Sequence, residues 1–167
     1  KIYFDLDGED AYDQMQRLHN WLNENNYMHQ VMFSGSKGYN VYVFLKPKLA
    51  TEVNLVAIHR YIENKADVRS DQQTVGDINR VSRVPNTLHI KSKLYCVPLD
   101  SSIINEGDSS IREYAKETRG VSHVFGDKRI PTLNTQKQGE QFMALERFEP
   151  QVMKSDSKRL QKLIDDE

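Results

Sequence analysis

The sequence predicts an α+β domain with an antiparallel or mixed sheet. Short runs of β-branched and aromatic residues are interspersed with segments whose apolar residues recur at helical spacing. The two kinds do not alternate in the strict order of parallel βαβ units. At 167 residues, 38% apolar and 28% charged, the chain can build one core with at most a small appendage.

Residues 1–7 alternate as a strand and Gly8 ends it. Ala11, Met15, Leu18 and Leu22 then lie on one helical face, so a helix is expected over about 11–25, with Asp10 as its N-cap and Asn25-Asn26 as its end. His29 to Phe33 reads as a strand entering a Ser-Gly-Ser-Lys-Gly turn, and Tyr39 to Leu45 as a second strand closed by Pro47. Thr51 is placed to cap a helix carrying Leu55, Ile58 and Ile62 to about Asn64, with His59 on its surface. Val81 to Val84 and Leu88 to Ile90 flank a Pro85-Asn86 turn, and Leu94 to Val97 is a further strand. Ser110 and Glu113 have capping-box spacing ahead of a helix to about Thr118, with Gly120 past its end. The stretch 122–139 is rich in Gly, Pro, Thr and Asn and reads as irregular surface chain. Helices are expected over about 139–148 and 155–164, separated by Pro150. A strand beginning at residue 1 and a charged tail from Lys154 to Glu167 suggest a fragment of a longer protein.

Net charge is −1, which does not announce a protein that holds duplex by bulk electrostatics. No run approaches the ~18 apolar residues of a membrane span, and no secretory signal is visible, so a cytoplasmic setting without membrane contact is expected. The single cysteine, Cys96, excludes an internal disulfide and a Cys-rich zinc site, and its apolar neighbours predict a buried thiol.

Three segments carry chemistry. In Phe4-Asp5-Leu6-Asp7, residues two apart share a strand face, so Asp5 and Asp7 present two carboxylates roughly 6–7 Å apart. A hard cation, Mg²⁺ or Mn²⁺, would relieve their repulsion. The alternative is a strand end whose aspartates face water. In Ser34-Gly35-Ser36-Lys37-Gly38, the glycines allow close backbone approach to an anion, and the serines and Lys37 add donors. This is not a Walker A loop, and an ordinary hairpin turn is the other reading. In Gly76-Asp77-Ile78-Asn79-Arg80-Val81-Ser82-Arg83-Val84-Pro85, Asp77 could supply a third ligand, and Arg80 and Arg83 could grip one phosphate group by their planar forks. They could equally be surface arginines or ion-pair partners for Asp5 and Asp7.

Elsewhere, Lys46 with Lys48 and Lys91 with Lys93 would each put two cations on one strand face, for template phosphates or as a solvated edge. His89 follows the third segment closely enough to touch nucleotide. Tyr12 and Trp21 read as core or core-edge residues, and His123 as part of irregular chain.

In order and spacing the three segments resemble the signature motifs of the archaeo-eukaryotic primase superfamily, in particular primase-polymerases of plasmids, viruses and mobile elements. The likeness covers about residues 1–100. It implies an RRM-like antiparallel or mixed catalytic sheet with an accompanying α/β unit, a catalytic domain over 1–148 and a helical tail over 149–167. It also implies template-directed nucleotidyl transfer from NTP or dNTP on single-stranded DNA, with a replicative helicase domain or subunit as a further partner. By matching, Asp5, Asp7 and Asp77 would be the catalytic acids of a two-metal Mg²⁺ or Mn²⁺ site without zinc. Ser34, Gly35, Ser36, Lys37, Gly38, Asn40 and His89 would contact nucleotide, and Arg80 and Arg83 the incoming nucleotide or the template strand. Asn40 departs from the family's histidine and cannot carry positive charge. A catalytically weakened relative that binds nucleotide or single-stranded nucleic acid is therefore the alternative. Phe4-Asp5-Leu6-Asp7-Gly8 also resembles the opening motif of haloacid-dehalogenase-type phosphatases. There Glu9 departs from the usual small residue, and the late acidic pair Asp165-Asp166 falls at the chain end.

Overall fold

The computed structural model describes residues 1–47, 54–77, 79, 81–120 and 123–131. Thr51, Lys48, Arg80, the two expected C-terminal helices and Asp165-Asp166 lie outside the described residues. The described chain is α+β, with a four-stranded antiparallel sheet in the order β1-β3-β2-β6 and a separate two-stranded hairpin.

β1 (Ile2–Leu6) alternates as its pattern requires: Ile2, Phe4 and Leu6 are buried, while Tyr3 and Asp5 face the other way. α1 (Ala11–Glu24) lays Ala11, Met15, Leu18 and Leu22 onto the Phe4 face. Asp10 stands at its N-cap, but its carboxylate accepts from the Gln14 amide at 2.9 Å rather than from a backbone N–H. β2 (His29–Phe33) and β3 (Tyr39–Val43) follow, and β3 inserts between β1 and β2. The register aligns Phe4 with Val41 and Val31 on the core face, and Asp5 with Asn40 and Met32 on the opposite face.

α2 (Leu55–Ala66) buries Ile58, Ile62 and Ala66 on the same core. Its cap is Asn54, whose side chain accepts from Ala57 N at 3.0 Å, in place of the expected Thr51. His59 is fully buried rather than at the surface, its ring 4.2 Å from that of Phe4. It falls next to Ile58 on the arc that meets β1. The chain then turns through Gln72–Thr74 back along β1, where Asp71 N donates to Asp5 O at 2.9 Å.

Residues 81–84 form no strand, contrary to a reading from their β-branched content. The expected Leu94–Val97 strand is divided between two sheets. β4 (Leu88–His89) pairs with β5 (Leu94–Tyr95), while β6 (Val97–Leu99) pairs with β2. Cys96 sits at the junction, buried, and burial pushes its thiol up to about 11. Lys91 and Lys93 occupy the hairpin turn, not a strand face. α3 (Ser101–Ile104), unread in the sequence, is capped by Asp100 through Ser102 N and Ile103 N. α4 (Asp108–Tyr114) begins before the Ser110/Glu113 box, after Gly107 at φ 101°. It ends at Tyr114, whose carbonyl accepts from the Arg119 guanidinium.

Residues 123–131, expected as irregular surface chain, bury Phe125 and Ile130 and pair backbone groups with His29, Met28, Phe44 and Lys46. Phe125 stacks on His29 at 5.0 Å. The Tyr27 carbonyl, His29, His19 and Asn23 form a hydrogen-bonded chain at 2.7–2.9 Å. Desolvation holds both imidazoles neutral, each lowered to about 4.

Candidate functional site: a cleft on the Asp5 face of the sheet

The face of the sheet opposite the helices carries the candidate site. It opens into a cleft of about 730 Å³ lined by Tyr3, Asp5 and Asp7 from the first segment, Ser34, Ser36 and Lys37 from the loop, Asn40 from β3, and Ser82 and Arg83 from the third segment. Three stretches distant in sequence therefore meet around one opening. The sheet brings the first two together because β1 and β3 are neighbours in a register that pairs Leu6 with Tyr39.

The tightest point is Gly38. A Cβ there would stand 2.0 Å from Asp7 Oδ1 and 2.6 Å from Leu6 O, so only glycine lets the Asp7 carboxylate lie against the loop. Gly35, at φ +83°, packs less tightly against the 94–96 backbone, where a Cβ would meet Cys96 N at 3.0 Å and Leu94 O at 3.1 Å. Both glycines thus support the loop from beneath. The loop is not a simple nest of N–H groups. Ser34 Oγ accepts from Ser36 N (3.4 Å) and Gly38 N (3.2 Å), while Ser34 N donates to Gly38 O (3.0 Å). Ser34 closes the turn, and the exposed Lys37 side chain carries the loop's positive charge.

Asn40 is buried on β3, directly across from Asp5, and its Oδ1 accepts from the Tyr3 hydroxyl at 3.0 Å. The amide NH₂ is the end that can donate to a ligand. Tyr3 lines the cleft, and its ring packs 5.3 Å from that of Tyr42, its partner on β3. Burial raises the Tyr42 hydroxyl above its ordinary range, Ser82 opposes the rise, and Cys96 and Asp5 add to it.

The remaining expected residues stand elsewhere. Asp77 is exposed, is absent from the described lining of the cleft, and accepts from Asn79 N at 2.8 Å in a local turn. The chain ahead of this segment joins β1 through the backbone of Asp71. His89 does not line the cleft either. It bonds Ser92 at 2.9 Å, and the Ser92 hydroxyl donates to Gly35 O, so His89 supports the loop at second hand. Among the described residues, no group of three or more His, Cys, Asp and Glu could hold a metal ion. The carboxylate-bearing residues in the lining are Asp5 and Asp7. That set suits a hard cation completing its shell with water and substrate phosphate.

Sequence reading missed Tyr3, whose place two residues before Asp5 puts it on the same strand face. It also missed Asp108 and Arg112, which lie behind the loop and carry no local signal. No helix among the described residues is long and apolar enough to cross a membrane. Compared with protein-family models, curated proteins and solved structures, the chain matches none.

Proposed function

We propose that the cleft takes the triphosphate of a nucleotide together with a divalent cation. On this reading the chain is a primase-polymerase core of the archaeo-eukaryotic type, carrying out template-directed nucleotidyl transfer from NTP or dNTP on single-stranded DNA. The observation that carries the reading is the contact of the Asp7 carboxylate with Gly38, with Asp5, Lys37 and Arg83 around the same opening. Acid for metal and cation for phosphate then stand side by side. The placing of β3 between β1 and β2, with α1 and α2 packed on the core face, supports an RRM-like three-strand centre, to which β6 adds beside β2.

Asp5 and Asp7 would hold Mg²⁺ or Mn²⁺, which when bound supplies Lewis-acid stabilisation of the transferring phosphoryl group. Lys37 and Arg83 neutralise phosphate charge, Arg83 with the geometry for two oxygens at once. Asn40 donates a hydrogen bond where the resembled family has a cationic donor.

Two observations favour the weakened alternative, a domain that binds nucleotide without transferring it: Asp77 is absent from the described lining, and Asn40 brings a neutral amide, not a cation, to the cleft. Primer synthesis on single-stranded template with Mn²⁺ or Mg²⁺ separates the two. A primase-polymerase yields extended products that Asp5→Asn abolishes. Binding of MgATP without product, with product appearing in Asn40→His, identifies the weakened form. Neither binding nor product defeats both.

A further inference from the structure

α4 grips the loop from behind at three points. Arg112 Nη1 donates to Ser36 O at 2.8 Å. Its guanidinium carbon lies 5.4 Å from the ring centroid of Phe33, the residue leading into the loop. Its Nε donates to Asp108 Oδ2 at 2.6 Å, and Asp108 Oδ1 accepts from the hydroxyl of Tyr39, the residue leading out of the loop. Burial works against the Asp108 carboxylate, but the hydrogen bonds from Arg112 and Tyr39 outweigh it and hold its pKa below the usual range. The clamp therefore stays charged at neutral pH.

The consequence lies in the Ser36–Lys37 peptide. All described peptides are trans, so the carbonyl of Ser36 and the N–H of Lys37 point in opposite directions. Arg112 holds that carbonyl on the side away from the cleft, because Arg112 is not among the residues lining it whereas Ser36 and Lys37 are. A Lys37 N–H opposite that carbonyl would turn toward the cleft. The N–H groups of Ser34, Ser36 and Gly38 are spent within the loop, and that of Lys37 has no partner among the described residues.

We infer that Arg112, braced by Asp108, is a positioning residue that aims the Lys37 backbone N–H into the cleft, where it and the Lys37 ammonium bind one phosphate group. The inference rests on the proposed triphosphate reading. Without Arg112 the peptide can rotate and the donor is lost, although Arg112 touches no ligand.

The test titrates inorganic triphosphate and MgATP into the ¹⁵N-labelled full chain, alongside Arg112→Met and Arg112→Lys. In the parent protein, the Lys37 amide resonance is expected to move with saturation. Arg112→Met keeps the aliphatic packing; it should bind triphosphate at least about tenfold more weakly, the scale of one charge-assisted hydrogen bond, and lose the Lys37 shift. Arg112→Lys retains a donor for Ser36 O and should recover part of both. If the parent binds triphosphate but its Lys37 amide stays still, or if Arg112→Met binds as tightly with the same shift, the inference is overturned and the proposed function stands. If the parent binds neither probe, both fall. The amide measurement on the parent decides the matter even if Arg112→Met fails to fold.

Discussion

Gly38→Ala tests whether the loop and the first carboxylates share one site. The added methyl would lie 2.0 Å from Asp7 Oδ1 and 2.6 Å from Leu6 O. The Asp7 side chain can rotate away, but only by leaving the loop. Leu6 O belongs to backbone in register with Tyr39, so it cannot retreat without disturbing the β1–β3 pairing. Overpacking of this kind typically costs about 1–3 kcal/mol. At about 2–4 °C per kcal/mol for a chain of this size, melting should fall by roughly 2–12 °C. The displaced Asp7 should also weaken Mn²⁺ binding, read by the paramagnetic resonance of unbound ion. Gly120→Ala is the matched control, because none of the described residues comes within 4 Å of its Cβ position. It should change stability by less than about 0.5 kcal/mol. Equal melting and equal Mn²⁺ binding in the two variants would refute the contact between Asp7 and the loop.

Stability should also depend on pH through three buried histidines. His19, His29 and His59 are each lowered from 6.5 to about 4, chiefly by desolvation. Below about pH 6.5 the unfolded chain takes up protons that the folded chain refuses. Stability is therefore complete above that value and declines toward pH 4, by at most about 1.4 kcal/mol per pH unit for each histidine. Urea melts at pH 7 and pH 5 read this directly, and coincident midpoints would contradict it. Phe125→Ala removes a buried ring stacked on His29 and should cost about 3–5 kcal/mol in the same assay, which a solvent-exposed 123–131 segment would not. Asn54→Ala should cost about 1 kcal/mol by removing the acceptor for Ala57 N, and no loss would transfer the cap to another residue.

Local pattern was enough for several elements. The alternation of Ile2, Phe4 and Leu6, the spacing of Met15, Leu18 and Leu22, and the β-branched run from Tyr39 each fix a short element, because burial on one face repeats with the period of the backbone. The same period placed Asp5 on the face away from the core. What the pattern did not contain was anything decided by distant partners. Leu94 to Val97 reads as one strand, yet two sheets compete for it and divide it at Cys96. Ser110 and Glu113 have the right spacing for a cap, but α4 starts earlier because Asp108 is drawn to Tyr39 and Arg112. His59 reads as a surface residue until β1 is packed over it.

At the candidate site, residue types and motif order could be read along the chain: two acids, a small-residue turn with a lysine, and an arginine pair. The meeting of the acids with the turn could not, because it depends on β3 entering between β1 and β2 in one register. Tertiary packing alone decided that Gly38 lies under Asp7, that Asp77 turns to its own loop, and that Arg112, 76 residues beyond Ser36, holds the turn from behind. A sequence specifies which groups can bond; only the folded chain brings a carbonyl and a guanidinium that far apart within 2.8 Å.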